Sequence, residues 1–412
     1  MVKKILLSGS LIILSGWCVA QTTSLQQYVD AGLQNSPLLK EYQSQVALNK
    51  YDSLLIRAAI KPQVTGTSIN SYAPVIKGIG YDNAITNGGN FSALIGVNKS
   101  IPNKKGLDAQ FENLQLQNEE HINTSKLTEQ DLKRTIIAQY ITAYGSLQQL
   151  NFNKDIAALL AREEIILKKL TLNNVYKQSD YLAFLVTLQQ QALMVKQAFI
   201  QYKNDYAILN YISGIADTAT VYLQDPGIVL SPVSGTGSSI FFKQFEIDSL
   251  KLINSKTLVD VSYKPKINLF ADAGYLSSLA NQPYKNFGTS FGISAAVPIY
   301  DGRQKKLQYS KIGIEEKTRK NYQSFFITRY RQQTAQLMQQ LNATDDLIKD
   351  INSQLKYTQS LIDVNGKLLE TGEARITDYV LALNNYINAK NLITQNNIAR
   401  LQIINQINYW NR

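Results

Sequence analysis

The sequence predicts a mixed, mostly α protein with an internal twofold repeat, in which long coiled-coil helices are joined to four β-strands. Three observations carry this expectation: four short alternating segments arranged in two pairs, two helical stretches of more than sixty residues, and matched positions 198 residues apart. Ser179-Asp180-Tyr181 returns as Thr377-Asp378-Tyr379, and Asn210-Tyr211 returns as Asn408-Tyr409. A duplicated unit accounts for that constant offset. The expected layout is a leader over 1–20, a first repeat over 21–215 (helix, β-hairpin, long helix, return helix), a connector over 216–241 and a second repeat over 242–412.

The leader is read from Lys3-Lys4, an apolar run from Ile5 to Leu14, and Cys18-Val19-Ala20 before Gln21, the pattern of a cleavable export signal. The apolar run is shorter than the ~20 residues a spanning helix needs, which disfavours an uncleaved anchor. Cys18 is the chain's single cysteine, so cleavage after Ala20 leaves no thiol for a disulfide, metal site or nucleophile. Lipid attachment at Cys18 is the competing reading, and Trp17 disfavours it because lipidation signals place a small residue there.

The four strand segments come next. Lys61-Pro62 opens an alternating run to Tyr72, and Lys264-Pro265 opens another through Leu276. The clearest is Asn286 to Val297, with Phe287, Thr289, Phe291, Ile293 and Ala295 on one face and small residues on the other. Its partner puts Ile267, Leu269, Ala271, Ala273 and Tyr275 on an apolar face, with Phe270 the exception on the small face. In the first half Phe91, Ala93, Ile95 and Val97 alternate with smaller residues, and Leu94 is the exception. Such segments match the about 9–11 residues with which a tilted strand crosses a bilayer. Two ordinary hairpins packed on a helical domain would give the same alternation. If the strands lie in lipid, four cannot close a barrel and an open edge is not tolerated, so oligomerisation follows. Two chains would supply eight strands, and three would supply twelve with room for an aqueous lumen.

Each strand pair ends in a proline with a glycine four residues on: Pro102 with Gly106, and Pro298 with Gly302. From Gly302 to Glu370 no proline occurs, and a helix of that extent would be on the order of 100 Å long. Leu341, Ile348, Leu355, Ile362 and Leu369 recur at steps of seven, with Leu347, Leu361 and Leu368 alongside, a coiled-coil signal. In the first half, Ile137, Tyr140, Ile141, Tyr144, Leu147 and Leu150 fall at helical spacing. Both rods stop at short breaks, around Leu172-Asn174 and at Thr371-Gly372, before a helix runs back. Gly372 stands where a helix C-terminus favours a left-handed residue. Asp180 and Asp378 fall in the first turns of the returning helices, where the helix dipole favours a carboxylate. Asp217 to Ser239, rich in Pro, Gly, Ser and Thr, reads as an irregular connector between the repeats.

Charge and motifs narrow the function class. Removing the leader gives 40 − 31 = +9, spread without a lysine-rich block, which is a solvated surface rather than a nucleic-acid footprint. His121 is the sole histidine, beside Glu119 and Glu120 on a polar helical stretch, and a solvated helix face explains it better than a metal site. No phosphate loop, nucleophile elbow or paired-histidine motif is present, so neither a cofactor nor an enzymatic activity is expected.

These features together resemble the TolC-type outer membrane efflux protein family. The resemblance spans the whole mature chain. It rests on the N-terminal helix with Ser36-Pro37, the paired strands, the Val297-Pro298-Ile299-Tyr300-Asp301-Gly302 exit from strand to helix, and Gly372 six residues before Asp378. It implies a homotrimer with a twelve-stranded outer membrane barrel, a periplasmic α-barrel, and a tip that docks on a periplasmic adaptor (membrane fusion protein) and an inner-membrane efflux pump or ABC transporter. On that basis the chain is expected to be a passive export duct of a tripartite efflux or type I secretion system. A non-conducting periplasmic or surface coiled-coil scaffold is the alternative. The family narrows its entrance with aspartates three residues apart. Asp378 matches the first and Leu381 occupies the second, which weakens the expected cation selectivity, and Arg375 is placed to pair with Asp378. Asp180 holds the equivalent place in the other half, where the family uses such residues in links that keep the tip closed. Asn173, Asn174, Thr371 and Gly372 mark the expected adaptor-docking tip, and Pro298, Asp301, Gly302, Pro102 and Gly106 the strand-to-helix exits.

Overall fold

The computed structural model describes residues 24–81, 88–217, 219, 221–232, 239–278 and 282–412; the expected leader and Cys18 lie outside the described residues. In chain order the elements are α1 (Leu25–Asn35), α2 (Pro37–Ala59), β1 (Gln63–Tyr72), β2 (Gly89–Ile101), α3 (Lys104–Leu172), α4 (Gln178–Ser213), α5 (Ile240–Ser262), β3 (Lys266–Ser277), β4 (Phe287–Ala296), α6 (Gln304–Thr371) and α7 (Ile376–Trp410). The expected fold class is the observed one, long helices with a four-stranded antiparallel sheet in a repeated order. No described helix is long and apolar enough to cross a membrane.

The residues sort into two compact units, and α3 and α6 each contribute to both. The first holds α1, α4, α7, part of the connector and the later residues of α3 and α6. Its core has two centres. Tyr28, Ile136, Tyr140, Leu147, Tyr202 and Leu209 bring α1, α3 and α4 together, and Leu223 of the connector completes that cluster. Phe152, Leu160, Leu167, Phe184, Ile362, Leu369, Tyr379 and Leu383 form the second centre, from α3, α4, α6 and α7. The heptad expected on α6 is confirmed at Leu341, Ile362 and Leu369, which are buried, and at Ile348 and Leu355, which are half-buried. Its second row is Leu337, Ile351 and Thr358, all buried. Leu347, Leu361 and Leu368 do not line that seam: they are exposed, because a step of seven also carries them along a neighbouring face.

The Asn-Tyr repeat has a structural reason. Asn210, near the end of α4, donates to the Asp217 carbonyl (2.6 Å). Asn408, near the end of α7, donates to the Val229 carbonyl (2.8 Å) and accepts from the Ser231 amide (2.7 Å). Both return helices therefore end by gripping the connector's backbone, satisfying polar groups that have no regular ladder.

The second unit holds α2, α5, the early residues of α3 and α6, and the sheet, ordered β1-β2-β3-β4. Val64↔Val97, Val97↔Ala271 and Ala271↔Phe291 lie in one row of the register, so the apolar faces of all four strands coincide. Val64, Ile95, Phe287, Phe291 and Ile293 are exposed there. The two exceptions to alternation have a packing cause. Phe270 faces Gly292, whose missing side chain leaves room for the ring, and Leu94 pairs with Gly274. Aromatic packing closes the unit's helical part, with Phe241 and Tyr330 against Trp410 at ring-centre distances of 5.0 and 5.8 Å.

Candidate functional site: the paired helical-hairpin turns

The expected tip residues fall on the α3–α4 and α6–α7 turns, both in the first unit. Each long helix ends in the same way. At α3 the Asn174 amide reaches the Thr171 carbonyl (3.0 Å) and the Val175 amide the Leu170 carbonyl (2.9 Å); at α6 Gly372 reaches Leu369 (3.2 Å) and Glu373 reaches Leu368 (2.8 Å). Both are Schellman closures, with Asn174 (φ 60°) and Gly372 (φ 80°) in the left-handed position. These two residues are 198 apart. Asn and Gly are the residues that tolerate this conformation, so the duplicated backbone has been kept with two different solutions. Asn173 and Thr371 sit beside them and are exposed, as expected of accessible turn residues.

The turns are also fastened to each other. Tyr176 donates its hydroxyl toward the carbonyls of Leu369 and Ala374, each at 2.9 Å. A β-carbon on Gly372 would stand 2.7 Å from Val175 Cγ1, so glycine is required there for closeness as well as for φ. Sequence reasoning missed Tyr176 as a fastener. Its counterpart at the repeat offset is Ala374, so comparing the halves gives no signal for it.

Both return helices open with a charged residue, Lys177 before α4 and Arg375 before α7, followed three residues on by Asp180 and Asp378. The amides of Asp180 and Asp378 donate to the carbonyls of Lys177 and Arg375, each at 3.1 Å. Beyond that the halves diverge. Arg375 forks onto Asp378, Nε to Oδ2 at 3.0 Å and Nη2 to Oδ1 at 2.9 Å. That guanidinium holds the Asp378 carboxyl below the usual aspartate value. Lys177 makes no ion pair with Asp180, which receives only the Ser179 hydroxyl (3.3 Å). Leu381, one turn beyond Asp378, is exposed. The turn thus offers a neutralised carboxylate beside an apolar side chain, a weak electrostatic feature in place of a strong anionic one.

Beneath the second turn lie two polar groups that the sequence did not single out. Tyr379 is 1% exposed and its hydroxyl has no hydrogen-bond partner, while Glu163 on α3 is 8% exposed and its Oε2 has none either. Burial, then the charge of Glu370, raises the Glu163 carboxyl above its ordinary value. Tyr181, the repeat counterpart of Tyr379, instead donates to Glu164 Oε1 at 2.5 Å.

The strand-to-helix exits, in the second unit, are less symmetric than the sequence suggested. Asp301 caps α6, its Oδ1 accepting from the Arg303 amide (2.9 Å) and its Oδ2 from the Lys305 amide (2.8 Å). Its functional counterpart is Asn103, which accepts from the Lys105 amide (3.0 Å). Gly302 is left-handed (φ 62°) and lies outside α6. Gly106 is inside α3, where a β-carbon would meet Val261 Cγ1 at 2.5 Å, so it serves helix packing. Pro102 and Pro298 each follow a strand end and stop the ladder. His121 lies on α3, and no group of three His, Cys, Asp or Glu that could hold a metal occurs among the described residues.

Two helical hairpins pinned turn to turn in one unit, and a four-stranded sheet with two unpaired edges in the other, define the TolC-type outer membrane channel fold, and this chain has it. Solved structures of that fold match nearly end to end. A membrane protein from Pseudomonas aeruginosa is 12% identical with a TM-score of 0.75, covering 94% of this chain and 89% of that one. The outer membrane protein VceC from Vibrio cholerae is 11% identical (TM-score 0.73; 94% and 96% covered), and the Campylobacter jejuni CmeC outer membrane channel is 13% identical (0.70; 100% and 93%). No protein-family model matches the sequence, and no curated protein does.

Proposed function

We propose that the chain is the outer membrane duct of a tripartite export system, three copies of which enclose one passive, non-enzymatic channel. The observation that carries this reading is the sheet. Its outward face is apolar and exposed while β1 and β4 are edge strands, an arrangement that lipid tolerates only if further strands close the ring. Twelve strands from three copies leave a lumen, whereas eight from two copies fill with side chains. Exposed Leu182, Val186, Leu193 and Ile200 on α4, and Leu347, Leu361 and Leu368 on α6, supply apolar stripes for the neighbouring copies' helices. Export by a cleaved leader, residence in the outer membrane and extension of the helices into the periplasm follow from the same reading.

In this function the turns form the periplasmic entrance. Asn173, Asn174, Thr371 and Gly372 present the docking surface for a periplasmic adaptor, behind which an inner-membrane pump provides the energy. Asp378, Asp180, Arg375 and Leu381 border the constriction, where the Arg375–Asp378 pair cancels and Asp180 is left as an unpaired carboxylate in each copy. The mass of the detergent-solubilised protein together with planar-bilayer conductance tests the proposal. A three-chain oligomer with discrete channels is expected, and a soluble oligomer that conducts nothing would replace the duct with a scaffold.

A further inference from the structure

We propose that the sheet-to-helix junction is a collar that binds the headgroups of anionic phospholipids, an inference that rests on the sheet lying in a bilayer. The register places one end of all four strands together: Gln63 lies opposite Asn98, Ile101 opposite Ile267, and Lys266 opposite Ala296. Lys61 precedes β1 at this end, and Lys104 with Lys105 follow β2. Lys264 and Lys266 open β3, and Arg303 with Lys306 follow β4. All but the half-buried Lys264 are exposed, and none has an ion pair among the described residues. Of the nearby acids two are already engaged, and Asp108, exposed in the second turn of α3, still leaves the cations in excess. Asp301 caps α6, and Asp260 accepts from Lys305 (2.8 Å) and from Tyr309. Cations at the starts of α3 and α6 also oppose the helix dipoles, which favour acids there, so helix stability does not account for them.

Three further features point to a lipid surface rather than plain solvent. Ile299 and Tyr300 are 96% and 84% exposed directly after β4, continuing the apolar outward face toward the cations. Tyr263 and Tyr309 flank Lys305 at 5.6 and 5.7 Å from ring centre to ammonium, the aromatic and basic mixture suited to a headgroup layer. At the other end of the sheet, the described segments beyond β1 and before β4 carry Lys77 and Lys285 alone. An apolar band bounded on one side by cations in excess of acids fits a leaflet containing lipids of net negative charge.

Native mass spectrometry of the full-length protein in neutral detergent, offered equal phosphatidylglycerol and phosphatidylethanolamine, tests the collar. Retention of phosphatidylglycerol about fivefold or more over phosphatidylethanolamine is expected. The combined change Lys104→Gln, Lys105→Gln, Lys264→Gln, Arg303→Gln and Lys306→Gln should abolish that preference, and Lys77→Gln with Lys285→Gln should keep it. Equal retention of the two lipids by the wild-type protein would overturn the collar, as would a preference that survives the five changes. Complete displacement by inorganic phosphate alone would also overturn it in favour of a phosphate site. Conductance in phosphatidylcholine bilayers separates the two readings. Channels without a lipid preference remove the collar only, whereas absence of channels removes the duct on which it rests.

Discussion

The first and second helical-hairpin turns share a backbone and differ in almost every side-chain interaction. Their left-handed residues, charged openers, aspartates and tyrosines are each 198 residues apart, yet Arg375 clamps Asp378 while Lys177 leaves Asp180 unpaired, and Tyr181 finds a carboxylate while Tyr379 finds nothing. The fastening is also one-sided, because Tyr176 of the first turn grips the carbonyls of the second. Duplication supplied the frame, and divergence supplied one turn that holds and one that is held.

The largest expected effect that would break this comparison is at Gly372. Gly372→Ala puts a β-carbon into the left-handed region and against Val175, at a cost of about 1–3 kcal/mol, while Asn174→Gly should stay within about 0.5 kcal/mol. Unfolding of the solubilised protein measures both, and equal costs would show the turns to be equivalent. Tyr176→Phe removes the hydroxyl that serves two carbonyls and should cost about 1–2 kcal/mol. Hydrogen exchange should then quicken across 368–375. Tyr379→Phe deletes a hydroxyl without a partner, so its thermal midpoint should match or exceed that of the parent.

Glu163 sharpens the contrast through pH. Its carboxyl binds a proton more tightly folded than unfolded, so its stabilising contribution is complete below the ordinary value of 4.5 and is lost as pH rises through the higher folded value. The groups facing it are Arg162 on its own helix, Glu370 and Tyr379. Glu163→Gln should flatten that part of the pH dependence of the thermal midpoint, and an unchanged profile would assign it elsewhere. The smallest effect is on conduction. Arg375→Gln should shift the reversal potential in a salt gradient toward cations and Asp378→Asn toward anions, while the double variant should return to the parent value. Non-cancelling shifts would mean that the two charges act separately.

How much of this was legible in the sequence depends on the range of the interaction. Asn174 and Gly372 were placed correctly because a helix stop is local, set by a few residues that tolerate positive φ. The strands were legible because period-two alternation is local too, and even its exceptions, Phe270 and Leu94, were visible before their glycine partners explained them. The α6 seam was half legible. The row at Leu341 was correct, but Leu347, Leu361 and Leu368 follow the same period on an exposed face, and periodicity alone does not say which face meets a partner.

The sequence by itself determined the repeat, the element order, the helix stops, and the paired charge at Arg375 and Asp378, since each depends on residues within about one helical turn or on a constant offset. Only the tertiary structure decided that Tyr176 holds the second turn across 193 residues, that Gly106 packs under Val261 instead of matching Gly302, and that Glu163 Oε2 and the Tyr379 hydroxyl are buried without a hydrogen-bond partner. The reason is physical. Propensity and period are written along the chain, but desolvation and hydrogen-bond satisfaction depend on which distant segments the fold packs against each group.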